Sequence, residues 1–106
     1  MKKDILSNIE LRLAQLIEGP FRTLFPSARA DQMLARNLVA AMGENLGVDA
    51  SGRVTAPVYY EIRLNPLHTP LWGDPPGLSV VLNEALQKAA REQGIAFERT
   101  PVIMAV

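Results

Sequence analysis

A chain of 106 residues, 48% hydrophobic and 21% charged, has the composition of one folded domain over residues 1–106, and excludes a disordered or fibrous polypeptide. Eleven basic and eleven acidic residues cancel, which removes the electrostatic ground for nucleic acid or an anionic membrane as partner. There is no cysteine, so disulfides and thiolate metal sites are excluded, and no apolar run nears the roughly 20 residues of a membrane span.

The opening MKKDILSNIELRLAQL breaks its apolar residues with acidic and polar ones, unlike a secretory signal. The expectation is a cytoplasmic domain without membrane insertion. In this segment Ile5, Leu6, Ile9, Leu13, Leu16 and Ile17 recur at helical spacing on one wide stripe. Leu11 falls on the polar side. Extending the same wheel brings Gly19-Pro20 onto the apolar side. A proline there cannot donate to the carbonyl of Leu16, so the helix either continues with a bend or stops near Glu18 and restarts with Pro20 in its first turn.

A second helix is predicted from Ala30 or Asp31, with Ala30, Leu34, Leu38, Ala41, Met42 and Leu46 inward. Gly43 is a mild interior cost, and Gly47 marks the stop. VDASGR reads as a turn. VTAPVYYEIRL reads as extended chain, with Val58, Tyr60, Ile62 and Leu64 alternating against Tyr59, Glu61 and Arg63. Pro57 cannot donate within a central ladder and divides a short strand from a longer one. NPLHTPLWGDPPG is proline-rich loop. A third helix starts near Pro76, buries Leu78, Leu82, Ala85, Leu86 and Ala89, and closes at Gly94; PVIMAV is a final β-prone run. The predicted order is α-α-β-β-α-β, an α+β two-layer sandwich with three helices on one face of a small three-stranded sheet.

Catalytic chemistry finds little purchase in this inventory. The one histidine, His68, lies in the proline-rich loop, and no serine sits in a nucleophile motif around it. No pair of metal ligands has helix-face or short-loop spacing, and no glycine loop stands beside a Lys-Ser/Thr pair. The expectation is a protein that is not an enzyme and takes no cofactor.

The polar strand face and the last strand point instead to a contact surface. Residues 102–106 are apolar on both parities, so both sides of that strand seek cover, whereas Glu61 and Arg63 require a wet outer face on the same sheet. A protein partner, or a second copy of the chain, covering that face reconciles the two. The candidate surface comprises Tyr59, Glu61, Arg63, Met104 and Val106, with Trp72 as a loop anchor of the kind enriched at binding hot spots. The alternative is a KH-like RNA-binding module, suggested by the element order; the linkers between the helices lack the glycine pair of a GXXG loop.

Over almost its whole length the sequence resembles the N-terminal domain of bacterial FHA-domain proteins. The likeness rests on Arg12, Leu13, Glu18, Gly19, Phe21 and Phe25 in the first helix, and on Gly52-Arg53, Pro57, Tyr60, Leu64 and Pro66 around the strands. Glu92-Gln93-Gly94 followed by Phe97 extends it past the third helix. The resemblance implies a first helix that runs on through Pro20, since the family carries a small residue there. It also implies a non-catalytic interaction or scaffold domain in phosphorylation-linked signalling, standing before a phosphothreonine-reading FHA module. The chain holds no such module, and either stands alone or is the front of a longer protein.

Overall fold

The computed structural model describes residues 2–24, 30–63 and 77–105. Helix α1 spans Lys2–Leu24 without interruption, so the chain stays helical through Gly19 and Pro20, as the family likeness implies. Helix α2 covers Ala30–Glu44 and α3 covers Leu78–Glu92. Five short strands complete the order: β1 Gly47–Val48, β2 Val54–Ala56, β3 Tyr59–Ile62, β4 Ala96–Phe97 and β5 Val102–Ala105.

The stripes read from periodicity are the buried ones. Ile9, Leu13 and Ile17 on α1 are fully enclosed, while Ile5, Leu6 and Leu16 pack at the margin of the same core. Each enclosed aliphatic side chain contributes about 1.5–3 kcal/mol relative to exposure. Helix α2 adds Leu34, Leu38 and Met42, and also Ala35 and Val39, so its apolar face is wider than the predicted stripe. Leu82, Ala85, Leu86, Ala89 and Ala90 line the inner side of α3. Helix α1 lies across α2 and α3; α2 meets β3, and α3 meets β4 and β5.

Leu6 of α1 packs directly onto Gly43 of α2. A Cβ built there would stand 2.8 Å from Cδ1 of Leu6, so the absent side chain lets that leucine lie against the α2 backbone.

The α+β class is as expected, but the sheet differs from a single three-stranded layer. β1, β2 and β4 form one sheet in that order, and β3 pairs with β5 in a second. The order is therefore α-α-β-β-β-α-β-β. β1 and β2 are antiparallel, whereas β2–β4 and β3–β5 are parallel. The split has a physical cause. Pro57 and Val58 separate β2 from β3 on one side, against 98–101, ending in Pro101, on the other. Two residues facing four cannot keep a common register, and neither proline has an N–H to donate across the gap.

VDASGR forms the turn expected of it, closing a hairpin between β1 and β2. Gly52 donates to the Asp49 carbonyl at 3.0 Å with φ of 87°, a conformation that glycine adopts without strain. The Asp49 carboxylate accepts from the backbone N–H groups of Ser51 and Arg53 and from the Ser51 hydroxyl. Those three bonds hold its pKa below the ordinary value, the Ser51 hydroxyl foremost.

Helix α3 closes at Gly94, as the sequence indicates. Gly94 has φ of 77°; its N–H donates to Arg91 and that of Ile95 to Ala90, each at 3.0 Å. This paired pattern is the Schellman motif, and it satisfies carbonyls that the helix end would otherwise leave bare.

Candidate interaction surface

Strands β3 and β5 run parallel with Tyr59 beside Val102, Tyr60 beside Ile103, Glu61 beside Met104 and Ile62 beside Ala105. Side chains alternate across a strand, so this register sorts them into two faces. Tyr60, Ile62 and Ile103 enter the core. Tyr59, Val102, Glu61 and Met104 share the opposite, outer face, where Tyr59 is 57% exposed, Val102 48% and Met104 45%. Arg63, just past the end of β3, is exposed as well.

Among the described residues, then, the structure brings together Tyr59, Glu61 and Met104 from the predicted surface, with Arg63 at its end. Trp72 and Val106 lie outside the described residues, as does His68. Val102 joins the face without having been singled out. Its signal was present: it has the same parity as Met104 in the final run, and only a partner register could show that it stands beside Tyr59.

The face has one internal polar contact. The Tyr59 hydroxyl donates to Glu61 Oε2 at 3.0 Å. Giving up that proton would set an oxyanion against the carboxylate, so the bond to Glu61 foremost holds the Tyr59 pKa above its ordinary value. That bond ties the tyrosine hydroxyl to its own strand while the residue stays exposed. Val102 and Met104 extend the apolar area on the neighbouring strand. Aromatic rings beside methionine make good contact area.

The buried side of the same strand carries an anomaly. The hydroxyl of Tyr60 is enclosed and has no hydrogen-bond partner among the described residues, while the residue is only 2% exposed. Burial pushes its pKa well above the usual phenol value.

Among the described residues no group of His, Cys, Asp or Glu gathers as a metal site, and no helix is long and apolar enough to cross a membrane. What the geometry defines is a small α+β domain with an inner sheet face sealed by helices and an outer one left partly apolar. A family model described as the N-terminal domain of FhaA matches residues 6–105, and the chain belongs to that family. No curated protein and no solved structure matches it.

Proposed function

We propose that this is a non-catalytic protein–protein interaction domain that engages its partner, or a second copy of itself, through the outer face of β3–β5. The observation that supports the reading most is the contiguity of Tyr59, Val102 and Met104. They are large, exposed, and adjacent through strand pairing rather than scattered singly. The family's description ties it to FHA proteins, and FHA modules read phosphothreonine. On this reading the domain serves phosphorylation-linked signalling in the cytoplasm as the partner of such a module. Its formal charge of zero favours a protein over nucleic acid, for which a basic surface is the usual requirement.

The test is a Tyr59→Ala/Met104→Asp double variant. Both side chains point away from the core, so its far-UV spectrum and melting temperature should match the parent. Light scattering over a concentration series, and photo-crosslinking in cells from position 102 on the same face, should show an association in the parent that the variant loses. An unchanged association with the face so altered would refute the proposal, as would a parent that is monomeric and uncrosslinked.

A further inference from the structure

A second surface, which meets the outer face at Val102, runs along the flank of α3. One cleft of about 440 Å³ is bordered by Arg53, Arg91, Gln87 and the turn into β4. A neighbouring one of about 430 Å³ is bordered by Gln87, Val80, Asn83, Pro101 and Ile103. Gln87 belongs to both, so the two join into one furrow between α3 and the β4–β5 side of the sheets. One end carries two arginines. The other is mostly apolar, with Val80 55% exposed.

The furrow borders a strand edge that has no pairing strand among the described residues. β4 and β5 each stand last in their sheets. The Val102 N–H donates to the Val58 carbonyl at 2.7 Å, so in the parallel ladder Val102 and Met104 bond toward β3. Ile103 and Ala105, by alternation, direct their N–H and C=O groups to the other side. Asn83 fastens the wall to this edge by donating to the Pro101 carbonyl, and Gln87 in turn donates to Asn83.

Charge sets what would fit. Of the neighbouring carboxylates, Glu92 pairs with Arg12 on α1, and Asp49 is held by its own turn, where the charge of Arg53 also acts on it. Arg91 sits in the last turn of α3, where its charge suits the helix dipole. Glu84 borders the apolar cleft, so negative charge on an occupant is welcome only toward the Arg53–Arg91 end.

We propose that this furrow binds an extended peptide segment of a partner protein, which adds as a strand to the edge of β5 that faces away from β3. The segment places acidic side chains against Arg53 and Arg91 and apolar, β-branched ones beside Val80 and Ile103. Strand addition gains affinity from the main chain and selectivity from alternate side chains, and arginine pairs suit carboxylates through charge-assisted, often bidentate hydrogen bonds.

The test is to pan a random dodecapeptide library on the purified 106-residue chain and map the selected peptides by amide NMR shifts. The expected peptides carry acidic residues on one side of a β-branched run and shift Gln87, Arg91 and Ile103. Arg53→Gln/Arg91→Gln should weaken them at least about tenfold while the fold is kept, with only a small drop in melting temperature from the lost helix-end charge, as both arginines are exposed. N-methylation of alternate peptide nitrogens should abolish binding in one phase only. Tyr59→Ala/Met104→Asp should leave it intact. The proposal is overturned by failure to select any peptide, by peptides without acidic bias, by N-methylation without effect in either phase, or by undiminished binding to the arginine variant. A footprint centred on Tyr59 and Glu61 of β3, with Gln87 and Arg91 unmoved, overturns it too, while favouring the outer face as the binding surface.

Discussion

Arg12 and Glu92, eighty positions apart in the chain, meet across the α1–α3 contact, where Arg12 Nε donates to Glu92 Oε1 at 3.0 Å. Beside them Asn8 reaches Gln93 at 3.5 Å. The Arg12-Leu13 and Glu92-Gln93-Gly94 segments, two of those that carry the family likeness, therefore form one clamp. Both charged side chains are more than a third exposed, at 38% and 39%, so water weakens their attraction. A double-mutant cycle with Arg12→Ala and Glu92→Ala should give a coupling of about 0.2–1 kcal/mol. The coupling should shrink in 1 M salt, where screening is short-ranged. A coupling that salt leaves unchanged would mean the pair is held by more than charge.

The end of the clamp rests on Gly94. Its φ of 77° is costly for any residue with a Cβ, although space around it is open. Gly94→Ala should therefore destabilise through the backbone alone, by about 1–2 kcal/mol. In thermal melts that is roughly 4–16 °C for a domain of this size. No change in melting temperature would show that the turn can relax.

Gly43 should behave in the opposite sense. An added methyl meets only the end of the Leu6 side chain, which is half-buried and borders an open cleft of about 370 Å³. It has room to turn aside. Alanine improves helix propensity by about 1 kcal/mol, so Gly43→Ala should be neutral or stabilising. A loss above about 1 kcal/mol in denaturant melts would mean that the α1–α2 spacing, not the leucine, gives way.

Tyr60 offers a sharper contrast. Its ring fills the core, but its hydroxyl is buried without a partner among the described residues, and desolvating such a group costs about 1–3 kcal/mol. Tyr60→Phe should keep the packing and leave stability equal or higher. Tyr60→Ala should lose about 3–5 kcal/mol, as large aromatic deletions do. A marked loss on Tyr60→Phe would reveal a hydrogen bond to that hydroxyl.

Stability should also respond to pH from two sides. The Tyr60 pKa is raised in the folded state, so above the unfolded phenol value, near pH 10, the unfolded chain releases a proton that the native one keeps. Stability then falls as pH rises, less steeply in Tyr60→Phe. The Asp49 pKa is lowered in the folded state from 3.8. Its contribution is present above that value and is lost as pH falls below it. Asp49→Asn should remove this acid-side dependence from urea melts at graded pH; if the dependence stays, another carboxylate carries it.

The helices were legible because their apolar stripes repeat over several turns, and Ile9, Leu13, Ile17, Leu82 and Leu86 are buried as the spacing requires. The alternation of Tyr59, Tyr60, Glu61 and Ile62 gave the faces of β3 correctly. What escaped was non-local or too short. β1 and β4 are two residues each, below the length at which alternation carries a signal. The division of the sheet depends on Pro57 lying beside 98–101, a pairing that no single segment encodes. Gly43 looked like a local cost because its compensation, contact with Leu6, lies on another helix. The furrow along α3 combines Arg53, Arg91 and Ile103 from three separate stretches, and only the fold unites them.

The central claim, that the outer β3–β5 face is covered by a partner, is tested most directly by hydroxyl-radical footprinting of methionines. Met104 and Met33 are both exposed, at 45% and 66%, whereas Met42 is buried. In the purified domain Met104 and Met33 should oxidise and Met42 should not. In living cells Met104 should become protected several-fold relative to Met33, and Tyr59→Ala/Glu61→Arg, which keeps the Met104 probe, should lose that protection. Equal oxidation ratios of Met104 to Met33 in the cell and in the purified domain would contradict the account.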